Sequence, residues 1–251
     1  MDYERTQKGN PYRLTVCQHS FPAASIARFA GDDGRVEAYL IDHHKQVRLN
    51  PEDQLFCARR VWDQRAESGY MREIEDKYQR LAEAVMSGTI TTIIKEDQKT
   101  ITDMFAIWNI REHRRASPIS DQKREGVVGH ALGSSKDDQE YLEKHHIGVI
   151  RPNLSVSGWH LCGVNMQLNL FKVREQMAEA HWGILRATRG HFIVPDNFSQ
   201  ARILPLSPSI CFVSQTDDHE IGENEVVSIN RIAVAGSRSY YFAQSLGKCP
   251  R

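Results

Sequence analysis

The feature that most limits the fold of this chain is a pair of adjacent segments with helical periodicity. Met71, Ile74, Tyr78, Leu81 and Val85 recur at three- and four-residue intervals, and Gly88 stands where a helix C-cap belongs. Ile101, Met104, Phe105 and Trp108 repeat at i, i+3, i+4 and i+7, with Asp97 or Thr100 placed to cap their helix. The short connection between the two predicts an antiparallel helical hairpin.

Weaker signals fill in the rest. A short helix is expected over 21–30, entered through Pro22, and a strand over 35–41 after the Gly31–Gly34 turn. Further helices are expected over 137–146 and within 163–186, the latter with Leu170, Val173, Met177, His181 and Ile184 on one face. The C-terminal quarter predicts strands at 191–194, 202–206 and 209–214, an acidic loop at 217–225, and a helix over 226–243. Pro205 and Pro208 put their strand at a sheet edge or a strand end, because proline donates nothing to a ladder. The sum is an α+β fold: a helical hairpin and further helices packed on a small, mainly antiparallel sheet. Residues 1–13 read as a flexible arm. Residues 14–251 read as one domain, with a mobile connection near 116–136.

Composition excludes several classes. With 32 Lys plus Arg against 32 Asp plus Glu, no global basic field directs the chain to nucleic acid. No run approaches the roughly 18 apolar residues of a membrane span, and the polar N-terminus is no signal peptide, so a cytoplasmic protein with no membrane partner is expected. Cys17, Cys57, Cys162, Cys211 and Cys249 are dispersed, odd in number and free of C-x-x-C pairs. They read as free thiols, forming neither a disulfide framework nor a thiolate zinc site. No cofactor is named by any motif.

Polar residues on apolar faces mark the candidate site, because burying charge needs a reason. Arg111 continues the stripe of the second hairpin helix and Glu75 borders that of the first, so the two can meet across the hairpin. Two readings stand: a structural ion pair, or an acid and an anion-binding arginine at the head of a cleft. His181 reads as a core histidine. The pairs His43–His44 and His145–His146 point to different sides of any regular element and form no two-ligand site. Arg111, Arg114, Arg115, Lys123 and Arg124 form the one local basic patch, either a solvated face or a phosphate-binding surface for nucleic acid. A protein partner or homo-oligomer stays open.

Gln18-His19-x-x-Pro22, followed by Phe29 and Asp33-Gly34, resembles the opening of the bacterial domain-of-unknown-function family 4238. Ile74-Glu75 is similar to that family's I-E helix, and Trp108-x-x-Arg111-x-x-Arg114 to its aromatic-x-x-R segment. Asp196-Asn197 resembles the centre of its S-D-N-P motif, here flanked by Pro195 and Phe198 instead of serine and proline. Leu204 to Pro208 is similar to its P-L-S-P strand, and Ile229-Asn230 to the asparagine of its final helix. The resemblance implies an α+β domain with polar motifs drawn from both ends of the chain, and by association a role in phage or mobile-element conflict. The resemblance implies no established activity; the polar residues themselves lead to the expectation of a hydrolase acting on a phosphate-bearing substrate such as nucleic acid. His19 is the general acid or base, Arg111 with Arg114 and Arg115 binds the anion, Glu75 and Asp196 orient these groups or complete the acid–base pair, and Asn230 supplies a neutral hydrogen bond. His19, Arg111 and Asp196 should then share one cluster. The alternative is a non-catalytic sensor or partner-binding protein in which the same residues are a buried structural network.

Overall fold

The computed structural model describes residues 3–123, 135–198 and 201–251. The chain opens with β1 (Cys17–His19), α1 (Ala23–Ala27), β2 (Val36–Leu40), β3 (Lys45–Leu49) and β4 (Cys57–Arg59). Three helices follow: α2 (Gln64–Ser68), α3 (Tyr70–Met86) and α4 (Lys95–Ala116). Next come β5 (Gln122–Lys123), α5 (Lys136–Lys144), β6 (Ser155–Val156) and α6 (Gly158–Gln176). The remainder is β7 (Trp182–Ala187), β8 (Val194–Pro195), β9 (Ile203–Ser207), β10 (Ile210–Ser214), β11 (His219–Ile221), α7 (Glu223–Gly236) and β12 (Tyr240–Ala243). This is the α+β fold.

The hairpin forms as its periodicity dictates. Met71, Ile74, Tyr78, Leu81 and Val85 are buried on α3, and Gly88 takes φ +77° just past its end, a conformation that costs a glycine little. On α4 the Ile94 amide donates to Asp97, closing the first turn. Burial on α4 exceeds the expected stripe: Thr102, Asp103, Ala106, Ile107 and Ile110 are also covered. The reason is position, since α4 packs against both α3 and α6 and touches β9. Its Trp108 lies tilted against Phe21 at 4.6 Å and meets Phe198 edge-on at 6.0 Å, joining early and late parts of the chain in one core.

Two four-stranded sheets lie beside the helices. One has the order β11-β7-β10-β9, antiparallel except for the β11–β7 pair, and the other the antiparallel order β3-β2-β12-β8. Strand β9 is an edge, and Pro208 lies in the turn that follows it, as the proline spacing requires. Two short ribbons, β1-β4 and β5-β6, complete the pairing.

Several expected boundaries are wrong. The helix expected within 163–186 begins at Gly158 and ends at Gln176, and Trp182–Ala187 is a strand instead. Trp182 to Leu185 are all buried, so β7 lacks the polar alternation that identifies a half-exposed strand. His181 therefore leaves the apolar face and pairs with Asp217 at the surface. The helix expected over 226–243 stops at Gly236, and Tyr240–Ala243 becomes β12 between β2 and β8. The loop expected at 217–225 contains β11, and the strand expected at 191–194 is only Val194–Pro195. Residues 3–13, read as an arm, reach across the chain: Glu4 pairs with Lys136 and Arg151, and Gln7 bonds Glu140. Much of the connection expected near 116–136 lies outside the described residues, and Arg124 with it.

Candidate functional site

Strand β1 sets up the first part of the site. Its alternation turns Gln18 inward, where the side chain donates to the Trp62 carbonyl at 2.7 Å and accepts from the Val61 amide at 2.7 Å. Cys17 and His19 consequently share the opposite face. In the β1–β4 register His19 stands across from Cys57, which brings Cys57 to that face too. His19 Nε2 lies 3.9 Å from Cys57 Sγ, and Cys17 and Cys57 are joined by a disulfide with Cα atoms 5.1 Å apart. The ligand-capable atoms of all three residues fall within 4.8 Å of one another. This corrects the reading of five free thiols without a metal-capable group. Cys17 and Cys57 are dispersed in sequence but adjacent in register, and only Cys162, Cys211 and Cys249 are free and buried. The pattern Cys17-x-His19 was the available signal, since a spacing of two places both groups on one strand face.

The second part is the α3–α4 pair. Glu75 and Arg111 are ion-paired across the hairpin. The Arg111 side chain is 2% exposed and that of Glu75 25% exposed, so a sealed cation holds a carboxylate at the rim. Arg111 also donates to Met71 Sδ at 3.3 Å, and its guanidinium lies 5.7 Å from the Trp62 ring centre. Trp62 Nε1 in turn donates to Glu67 at 2.5 Å. Burial works against the Arg111 charge, but Glu75 and Glu67 outweigh it and raise its pKa further. Burial raises the Glu67 carboxyl, with Arg111 pulling the other way. Burial is also the main reason that the His19 pKa is lowered. Arg111 adds to the shift, while a hydrogen bond to the Pro51 carbonyl and the charges of Glu52 and Glu75 oppose it. His19, Glu75 and Arg111 thus belong to one electrostatic neighbourhood.

Asp196 and Asn230 work as tethers. The Asp196 carboxylate accepts from the backbone amides of Arg238 at 3.0 Å, Ser239 at 2.6 Å and Tyr240 at 3.4 Å, closing the turn from α7 to β12. Asn230 is fully buried: its Oδ1 accepts from Ile193 N at 2.8 Å, and its Nδ2 donates to the carbonyls of His191 and Pro250, both at 2.9 Å. The arginines expected to bind anions are also engaged. Arg114 donates to Asn165 at 2.6 Å, linking α4 to α6. Arg115 bonds Glu112 at 3.1 Å and the Leu55 carbonyl at 2.9 Å, with its guanidinium 5.4 Å from the Tyr240 ring centre. Burial raises the Glu112 carboxyl; Arg115 pulls it down and Asp196 pushes it up.

The charges of Arg111 and Glu75 act on His19, and that of Asp196 acts on Glu112 and Arg115 of the same helix α4. Sequence reasoning missed Glu67, Trp62 and Glu112, whose burial depends on what α2 and α4 pack against. The grooves lie elsewhere among the described residues. One of about 590 Å³ between α4 and α6 is lined by Phe105, Asn109, Lys172, Val173, Phe198 and Arg202. No helix among the described residues is long and apolar enough to cross a membrane. Comparison with protein-family models, curated proteins and solved structures found no match for the chain.

Proposed function

We propose that the protein is a hydrolase acting on a phosphate-bearing substrate such as nucleic acid, with His19 and Glu75 as its acid–base groups. One observation supports this reading above others. Of the five expected catalytic residues, His19 and Glu75 are the two that are not buried. Arg111 is then a positioning residue that fixes the Glu75 carboxylate at the rim. A lowered His19 pKa leaves a neutral imidazole at pH 7, able to accept a proton from an attacking water. Contact with the substrate backbone falls to the exposed His113 and Lys123, because Arg114 and Arg115 hold α4 to its neighbours. The resemblance to family 4238, and with it a role in phage or mobile-element conflict in the cytoplasm, belongs to this proposal.

A second reading, a non-catalytic sensor or partner-binding protein, is favoured by a separate observation: Asp196, Asn230 and Arg111 are bonded to groups of the protein itself. One experiment separates the two. Wild type, His19→Ala and Glu75→Gln are assayed on single- and double-stranded oligonucleotides and on a phosphodiester chromogen, with melting curves run in parallel. The hydrolase reading expects turnover by wild type and a loss of about 10²-fold or more in each folded variant. No turnover of any phosphate ester by folded wild type leaves the second reading.

A further inference from the structure

We propose that Cys17, His19 and Cys57, once the Cys17–Cys57 disulfide is reduced, form a three-ligand site for a divalent cation of the zinc type. The three side chains are brought together by backbone pairing, not by chance surface proximity. Cys17 and His19 are two residues apart on one strand, and His19 and Cys57 are direct cross-strand partners. Their ligand atoms already lie within 4.8 Å of one another. Thiolate and imidazole ligands at about 2.3 and 2.0 Å in a tetrahedral shell sit about 3.5 Å apart. The observed His19 Nε2 to Cys57 Sγ separation is 3.9 Å. The two sulfurs, bonded in the disulfide, need to open to about 3.8 Å once it is reduced.

The surroundings fit a ligand set. Cys57 is buried while Cys17 and His19 are half-buried, so the protein closes one side of the site and leaves the other to solvent. A fourth position is thereby left for water or an incoming oxygen ligand. Two thiolates and one imidazole favour a borderline or soft cation over magnesium or calcium.

The chemistry balances in two steps. A dithiol reductant gives two electrons and two protons to the S–S bond, leaving two thiols and becoming a disulfide itself. The cation then displaces both thiol protons and takes the Nε2 lone pair of neutral His19. With the cation bound, Nε2 is occupied, so His19 serves as a proton carrier only in the cation-free protein. The inference does not depend on the hydrolase reading, because metal binding is measured without turnover.

The test uses the full chain, reduced with a phosphine, freed of reductant without oxygen, and titrated with Co2+ as a spectroscopic stand-in for Zn2+. The expected result is one Co2+ per chain with sulfur-to-metal charge-transfer absorption, displaced by Zn2+. Cys17→Ser, Cys57→Ser and His19→Ala each weaken binding at least tenfold, while replacing Cys162, Cys211 and Cys249 together leaves it unchanged. Should a variant fail to fold, alkylation of the wild type read by mass spectrometry replaces it: bound Zn2+ protects Cys17 and Cys57 at least tenfold. A disulfide that resists reduction, absence of the charge-transfer band, or equal alkylation with and without Zn2+ overturns the proposal.

Discussion

Glu75 and Arg111 form an ion pair in which the cation is sealed, at 2% exposure, and the anion reaches solvent, at 25%. The two partners are therefore not equivalent to mutation. Arg111→Ala removes a buried group that also supports Trp62 and Met71 and leaves Glu67 without its counter-charge. A loss of about 3–5 kcal/mol is expected, which in a chain of this size lowers the melting temperature by about 10 °C or more. Glu75→Gln keeps a hydrogen-bond acceptor beside Arg111, and Glu67 stays within electrostatic reach. Its melting temperature should fall by less than about 10 °C. Paired melts decide the matter, and a larger drop for Glu75→Gln removes Glu75 from the acid–base role.

Asn230→Ala leaves the Ile193 amide and the carbonyls of His191 and Pro250 without partners in the interior. Each unpaired buried group costs about 1–3 kcal/mol, so urea unfolding should show a loss of at least about 3 kcal/mol. A loss below about 1 kcal/mol would show that the tether is dispensable.

Asp63 caps α2 by accepting from the Ala66 amide at 3.1 Å, yet burial pushes its pKa up from 3.8 to about 6. A carboxyl raised on folding contributes stability below its unfolded pKa and loses it as pH rises through the folded value. The window here is about pH 4 to 6. Asp63→Asn keeps the cap and removes the charge. It should stabilise the protein at pH 8 by up to about 3 kcal/mol and have little effect near pH 4. Urea midpoints at the two pH values test this, and equal effects at both would refute it.

Reduction of the Cys17–Cys57 bond releases a loop with 40 residues of sequence separation. Chain entropy alone assigns this bond about 4 kcal/mol of stability. Unfolding curves with and without reductant should differ by that order in wild type and coincide in Cys17→Ser. Zn2+ added to the reduced wild type should recover part of the loss.

What was legible in the sequence was whatever a single helix face decides. The α3 stripe from Met71 to Val85, the Gly88 terminus and the Glu75–Arg111 contact all follow from the 3.6-residue period and a short connection. Pro205 and Pro208 place an edge strand by chemistry alone. The failures come from elements defined by their neighbours. Tyr240 to Ala243 form a strand because β2 and β8 pair with them, and Trp182 to Leu185 are covered on both faces, so neither run carries a period of two. In the same way, the Cys17–Cys57 relation depends on the register of β1 against β4, a quantity absent from either segment. Asp196 and Asn230 stood out as polar residues in apolar surroundings, but their partners are backbone groups 37 to 44 residues away or near the chain end, which side-chain patterning does not reveal.

Strand β12 fills the slot between β2 and β8, pairing Tyr240 with Leu40 across 200 residues of chain. During synthesis the β2–β3 hairpin therefore exists long before its inner neighbour, with the amides and carbonyls of Val36 to Leu40 unpaired along one side. Only when Tyr240 to Ala243 arrive does that side close, and Asp196, by accepting from the amides of Arg238, Ser239 and Tyr240 at the start of the strand, sets where it enters. A chain stopped after Gly236 keeps α1 to α7 yet exposes a ready template for intermolecular pairing. The four residues from Tyr240 to Ala243 are thus the latch between a closed sheet and a sticky one.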